Sequence, residues 1–338
     1  MVRQKYYAYS AGLLLLIGAL CPVSAETAST PPAGASAPAA PGTPAAPSTA
    51  PEPAIAEVAV TAPEPRYVAP TLRDKLGRIW APVYLNGKGP YRLVLDTGAN
   101  SSAITARVAA DLGLPLVQSS SMMLHGVTGS AVVPFVKVDT FVVGDMEAHD
   151  KVLPIVPDAL GGADGVLGME GLEDKRIFID FMHDKITIRH SHNRRADDGY
   201  VTVPLTRAHN GLLMTTAYIG SLRVEAIIDT GGQATVANPA LRAALKRRYL
   251  NRDLHPSSII GATDDVQAGQ DVPIPPVSLG PVTIHTSYLT VSDLRIFELW
   301  NMTTRPAMLI GIDTLGLLDN LVIDYRRMEL QIRTRHNF

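Results

Sequence analysis

Cysteine is nearly absent: among 338 residues there is one, Cys21. It sits inside an apolar leader, so the chain after leader removal has no disulfide and no thiol nucleophile, and the core alone must hold the fold. No His-Glu-x-x-His pair, no Gly-x-Ser-x-Gly elbow and no phosphate loop occurs, so zinc-hydrolase, serine-hydrolase and nucleotide readings have no motif behind them. Neither sign of charge dominates: 30 Lys and Arg face 32 Asp and Glu, for a net charge of −2. Nothing basic enough to draw nucleic acid is present. His190-Ser191-His192 has no acid or cysteine at ligand spacing and reads as a solvated loop. Neither a metal nor a cofactor is expected. The apolar run from Ala11 to Leu20 is too short to span a bilayer comfortably.

That short run is nevertheless informative. Arg3 and Lys5 precede it, and Val23-Ser24-Ala25 supplies small residues for cleavage before Glu26. Residues 1–25 read as a signal peptide for a periplasmic or secreted protein, with an uncleaved anchor as the alternative. Lipidation at Cys21 is disfavoured by Leu20, where a small residue is required. Residues 26–66 are dominated by Ala, Pro, Ser and Thr and read as a disordered, extended spacer, with a pro-segment as the alternative.

What the rest of the chain has is a repeat. Leu93-Val94-Leu95-Asp96-Thr97-Gly98 returns as Ala226-Ile227-Ile228-Asp229-Thr230-Gly231. Each copy is an apolar strand that delivers an acid, a hydroxyl and a glycine. An ionised carboxylate on a buried strand is costly unless something pairs or uses it. Two such strands bring two carboxylates face to face.

The surroundings repeat too. Thr105 and Asn238, each nine residues after its acid, read as helix N-caps. The helix at 106–112 is stopped by Gly113 and Pro115; the one after Asn238 starts on Pro239. His125-Gly126-Val127-Thr128-Gly129 and Ile260-Gly261-Ala262-Thr263-Asp264 read as hairpin tips. Val166-Leu167-Gly168 and Leu309-Ile310-Gly311 follow, then Ile179-Asp180-Phe181 and Ile323-Asp324-Tyr325. Alternating strands at 185–189 and 329–333 close the halves. The separation between equivalent landmarks grows slowly, from 133 residues at the acids to 144 at the acid–aromatic pairs, as in one duplicated domain with loop insertions. Each acid-bearing strand is the second arm of a hairpin, after Asn86-Gly87 in the first half and Gly220-Ser221 in the second. Pro273, Pro275, Pro276 and Pro281 belong on edge strands or loops. Short, evenly spaced β segments with few helices predict an all-β pair of domains at 71–191 and 200–338, joined by an exposed linker at 192–199.

Over about residues 75–335 the sequence resembles the retropepsin-like aspartic proteases, in a two-domain bacterial form with a secretion signal. The resemblance rests on the two Asp-Thr-Gly motifs, the hairpin tips and the two apolar-apolar-Gly motifs. It implies two tandem β-barrel domains forming a pseudo-two-fold dimer with a cleft between them. It also implies an aspartic endopeptidase with Asp96 and Asp229 as catalytic acids, acting on a peptide or protein substrate without metal. Thr97 and Thr230 would interlock the two loops, and Gly98 and Gly231 would aim N–H groups at the carboxylates. Gly126, Val127, Gly261 and Ala262 become candidates for a flap over the substrate. Ala99 and Gly232 stand where pepsin-like members carry Ser or Thr. Fewer donors to the ionised pair raise its pKa values and set activity at mildly acidic to near-neutral pH. A catalytically silent peptide-binding module on this scaffold is the alternative. A monomer with the pseudo-dimer inside one chain is expected, against pairing of two chains.

Overall fold

An Asn-Gly turn starts the first half. Asn86 and Gly87 both take positive φ, 49° and 73°, the backbone that a tight two-residue hairpin requires. The Asn86 side-chain oxygen then accepts the N–H groups of Asp139 and Thr140 at 2.8 and 3.0 Å. The hairpin arms are Trp80–Leu85 and Lys88–Leu95. In this computed structural model the described residues are 77–114, 121–158, 161–208, 211–246, 254–286 and 288–334, with the backbone of three short strands, Ala8–Ser10, Leu16–Ile17 and Tyr67–Pro70. The rest of the leader and of the Ala/Pro-rich segment, and Pro115, lie outside the described residues.

Six strands close the first half into a barrel. Ser130–Val143 pairs with Trp80–Leu85, and Lys88–Leu95 pairs in parallel with Gly165–Leu167. Gly165–Leu167 pairs with Ala103–Thr105, which runs parallel to Met146–Val156. Met146–Val156 returns to Ser130–Val143 and completes the ring. Closure leaves no free edge within the ring.

The second half repeats the ring with Leu212–Ile219, Leu222–Ile228, Ala307–Ile310, Val236–Ala237 and Tyr288–Val291. Its counterpart of the long strand Ser130–Val143 is broken into Val266–Pro273 and Val277–Leu279. Pro275 and Pro276 occupy the break, since neither can donate a ladder hydrogen bond.

A third sheet joins the halves. Its order is Val201–Pro204, Glu329–Arg333, Asn320–Asp324, Lys175–Asp180, Lys185–His190, Tyr67–Pro70, three strands from each side of a pseudo-two-fold axis. The two central strands are antiparallel neighbours, with Phe178 opposite Val322. At the end of one of them Asp324 is buried, paired with Arg176 of the other at 3.1 Å and with the Ser191 hydroxyl at 2.8 Å. Tyr67–Pro70 extends the ordered backbone ahead of the expected start at residue 71.

The helices are brief. Asn238 caps Pro239–Lys246 by accepting the Leu241 N–H at 2.8 Å. Thr105 stands at the N-cap of Ala106–Asp111, yet its hydroxyl makes no capping bond. The expected side-chain cap there is corrected: Thr105 is itself a buried strand residue.

Candidate active site

Each acid is the first residue beyond its strand, and its own N–H is tied down. Asp96 donates to the Leu167 carbonyl and Asp229 to the Ile310 carbonyl, both at 3.0 Å. The loops that follow pass so near Gly168 and Gly311 that a methyl group there would lie 2.4 Å from the Ser101 carbonyl carbon and 2.5 Å from the Ala234 oxygen. Only glycine fits at both places.

The threonines after the acids lock the halves. The Thr97 hydroxyl donates to the Ile228 carbonyl at 2.7 Å and accepts the Thr230 N–H at 3.1 Å; the Thr230 hydroxyl donates to the Leu95 carbonyl at 2.8 Å and accepts the Thr97 N–H at 3.1 Å. All four bonds are buried, where the low local dielectric strengthens them.

This lock sets the two carboxyls against each other. Asp96 and Asp229 are 0% and 1% exposed, and each carboxyl lies close enough to shift the other's ionisation. With both ionised, Asp96 Oδ2 would be a buried acceptor without a donor; one shared proton supplies it. Donors are unequal. Among the described residues Asp96 Oδ1 accepts the Gly98 N–H, at 2.8 Å, while Asp229 Oδ1 accepts Gly231 and Gly232, at 3.1 and 2.8 Å. Burial and then the charge of Asp229 push the Asp96 carboxyl well above the ordinary carboxylate range. Burial also pushes Asp229 up, to about 6, with the Gly232 N–H pulling hardest in the other direction. The better-solvated anion is therefore Asp229, and the pair together holds one proton. Gly231 packs so tightly on Asp96 that an added methyl would lie 2.1 Å from its carboxyl carbon.

Three supports were not legible locally. Arg78, 1% exposed, contributes a positive charge that favours ionisation of both acids. Ser102 and Thr235, each six residues after its acid, accept the N–H groups of Gly168 and Gly311 at 3.2 and 3.1 Å. Their own N–H groups donate to Glu170 and Asp313 at 3.0 and 2.9 Å. A hydroxyl at the sixth place and an acid two past each glycine were the available signal.

Both hairpin tips meet above the halves. Val127 is buried in an apolar cluster otherwise made of second-half residues, including Ile227, Phe297 and Trp300. Ala262 is buried in one otherwise made of first-half residues, including Val94, Ala99 and Val166. The tips also touch: a methyl on Gly261 would strike the Thr128 hydroxyl, and one on Gly126 would contact Thr263. His125 is tied to the Ser130 hydroxyl at 2.7 Å. The outer edges of Ser121–His125 and His255–Ile260 each carry an added strand, Leu16–Ile17 antiparallel and Ala8–Ser10 parallel.

The sequence profile of the aspartyl proteases matches this chain twice, over residues 81–170 and 215–314. The chain belongs to the aspartyl protease family. Each match contains one Asp-Thr-Gly strand or its continuation and one apolar-apolar-Gly motif, as the duplicated aspartyl protease barrel requires. Among solved structures the fold is similar to basic 7S globulin from soybean, with 12% identity, a TM-score of 0.45, and coverage of 81% of this chain and 98% of that one. No curated protein sequence matches this aspartyl protease chain.

Proposed function

We propose that this protein is an aspartic endopeptidase that cleaves peptide bonds with a water held between Asp96 and Asp229. The observation that carries the reading is the buried carboxyl pair with unequal backbone donors. Asp229, the ionised member, takes a proton from the water as it attacks the peptide carbonyl. Asp96 donates its proton to that carbonyl oxygen as the tetrahedral intermediate forms. The aspartic-protease dyad is the standard illustration of two carboxylates sharing a proton, and the assignment here follows from the donor count. No acyl-enzyme and no metal enter the reaction.

The substrate is an extended peptide in the cleft. The pseudo-two-fold axis makes such a peptide run parallel to one flap edge and antiparallel to the other, the two senses in which those edges already take up strands. The signal-peptide reading supports a periplasmic or secreted site of action, and the internal pseudo-dimer supports a monomer. The Gly232 N–H donates to Asp229, so a residue without the hydroxyl of pepsin-like members still leaves the second motif supplied, which speaks against a silent binding module. The test is cleavage of a peptide library by the mature chain, by Asp96→Asn and by Asp229→Asn. Cleavage by the parent that pepstatin blocks and both variants lack is the expected result; cleavage retained in either variant would overturn the reading.

A further inference from the structure

Two short strands of the leader sit at the edges of the flap hairpins. Ala8–Ser10 runs parallel to His255–Ile260, with Ala8, Tyr9 and Ser10 opposite Ser258, Ile259 and Ile260. Leu16–Ile17 runs antiparallel to Ser121–His125, with Leu16 opposite His125 and Ile17 opposite Leu124. In each case the leader strand is the outermost of its sheet, and the flap strand would be the edge without it. Such an edge presents unpaired N–H and C=O groups, a standing template for an added strand.

The registers place these strands about the tips. Ile260 and His125 are the residues just before the tip glycines, Gly261 and Gly126. Ala8–Ser10 therefore runs toward one tip, and Leu16–Ile17 runs away from the other. The tips themselves are in contact, Gly126 against Thr263 and Gly261 against Thr128. Six Cα steps separate Ser10 from Leu16, a reach of about 21 Å at full extension. Residues 8–17, Ala-Tyr-Ser-Ala-Gly-Leu-Leu-Leu-Leu-Ile, contain no proline to withhold an N–H and no charge to bury.

We propose that the leader is an intramolecular ligand of the cleft: while attached, its two strands hold both flap edges and exclude other peptides, and its removal frees them. The proposal rests on the endopeptidase reading in taking the cleft for the substrate site. The leader comes in along the second-half flap and goes out along the first-half flap, in the two senses that a substrate would adopt. Main-chain pairing carries the contact, as in any strand addition. Attachment gives the leader a local concentration on the order of 1 mM, which a loose peptide of equal affinity must exceed to displace it. A chain that folds before its leader is removed is thereby silent where it is made, and loss of the leader starts its activity.

Three chains made by cell-free synthesis, which leaves the leader in place, test this. They are residues 1–338, the same chain with Tyr9→Pro, Ser10→Pro, Leu16→Pro and Ile17→Pro, and residues 26–338. For hydrogen exchange each also carries Asp96→Asn, so that no self-cutting shortens the leader. Amides at 122–125 and 257–260 should exchange about tenfold more slowly in the full chain than in the other two, while those at 175–190 stay alike in all three. With the dyad intact, the full chain should cut a peptide library about tenfold more slowly than the proline variant or the leaderless chain. Equal exchange of the flap edges in all three chains, or slow exchange that survives the four prolines, would overturn the proposal. So would equal cutting by a full chain whose leader is whole by mass. Turnover reports separately on the reading beneath: edges protected by the leader, with no cutting by residues 26–338, would sink the endopeptidase and leave the leader as ligand of a silent cleft.

Discussion

At the scale of single residues, unequal solvation of two identical side chains divides their labour. Asp229 has two backbone donors and Asp96 one, so in the proposed reaction the working form is the singly ionised pair. The acid limb of kcat/KM should fall near pH 6, where burial places Asp229, and the basic limb well above it, because Asp96 is raised further. A pH–rate profile peaking at pH 2–3 would contradict this. The same burial has a cost in stability. An acid whose folded pKa is raised binds its proton more tightly when folded, so the stability it contributes is complete below about pH 4 and lost as pH rises through the folded value. Asp96→Asn removes the need to take up and hold that proton in a buried site. It should therefore raise the melting temperature at pH 7.5 by about 5 °C, from roughly 2 kcal/mol, with the gain shrinking to nothing near pH 4. Calorimetry across that range checks the sign.

Among elements, the flap hairpins differ in what holds them. The second-half cluster that receives Val127 includes Ile296 and Phe297 on the helix Arg295–Leu299, and the Ile296 N–H reaches the Val127 carbonyl at 3.4 Å. That helix belongs to the connection between Tyr288–Val291 and Ala307–Ile310; the matching first-half connection, from Val156 to Gly165, is shorter and contains no described helix. Ala262 sits instead among small residues such as Ala99, Ala103 and Ala163. Val127→Ser should lower kcat/KM about tenfold and speed amide exchange over 121–133, while exchange in the sheet at 175–190 stays unchanged. Hydrogen-exchange mass spectrometry reads both. The hairpins themselves were legible, because alternating apolar residues around Asn86-Gly87 and Gly220-Ser221 leave few alternatives, and so were the acid strands and the Asn238 cap. The exchange of tips between halves was not: nothing near Val127 tells which cluster, over 80 residues away, will receive it. Arg78 escaped for the same reason. Its role comes from a fold that seats Ile79 against Leu95, with the Leu95 N–H on the Ile79 carbonyl at 2.9 Å, and so brings the preceding side chain near the acids.

For the molecule as a whole, the duplicated sequence was enough to give two barrels and a shared site, because each half repeats a full set of landmarks in one order. The shared sheet was only half visible: strands at 185–189 and 329–333 are apparent, but their meeting through Lys175–Asp180 and Asn320–Asp324 is a tertiary event. That meeting, the crossed tips and the threonine lock together mean that the halves hold to each other without relying on the covalent connection between them. Arg194 and Arg195 in the connector are exposed. Trypsin should therefore nick the connector and leave two fragments that co-elute and keep turning over peptide. Separation in denaturant and remixing would then restore activity with second-order kinetics, since each fragment brings one acid. The covalent tether raises the local concentration of one half for the other while they find each other; afterwards it is a scaffold pole left standing beside a finished arch.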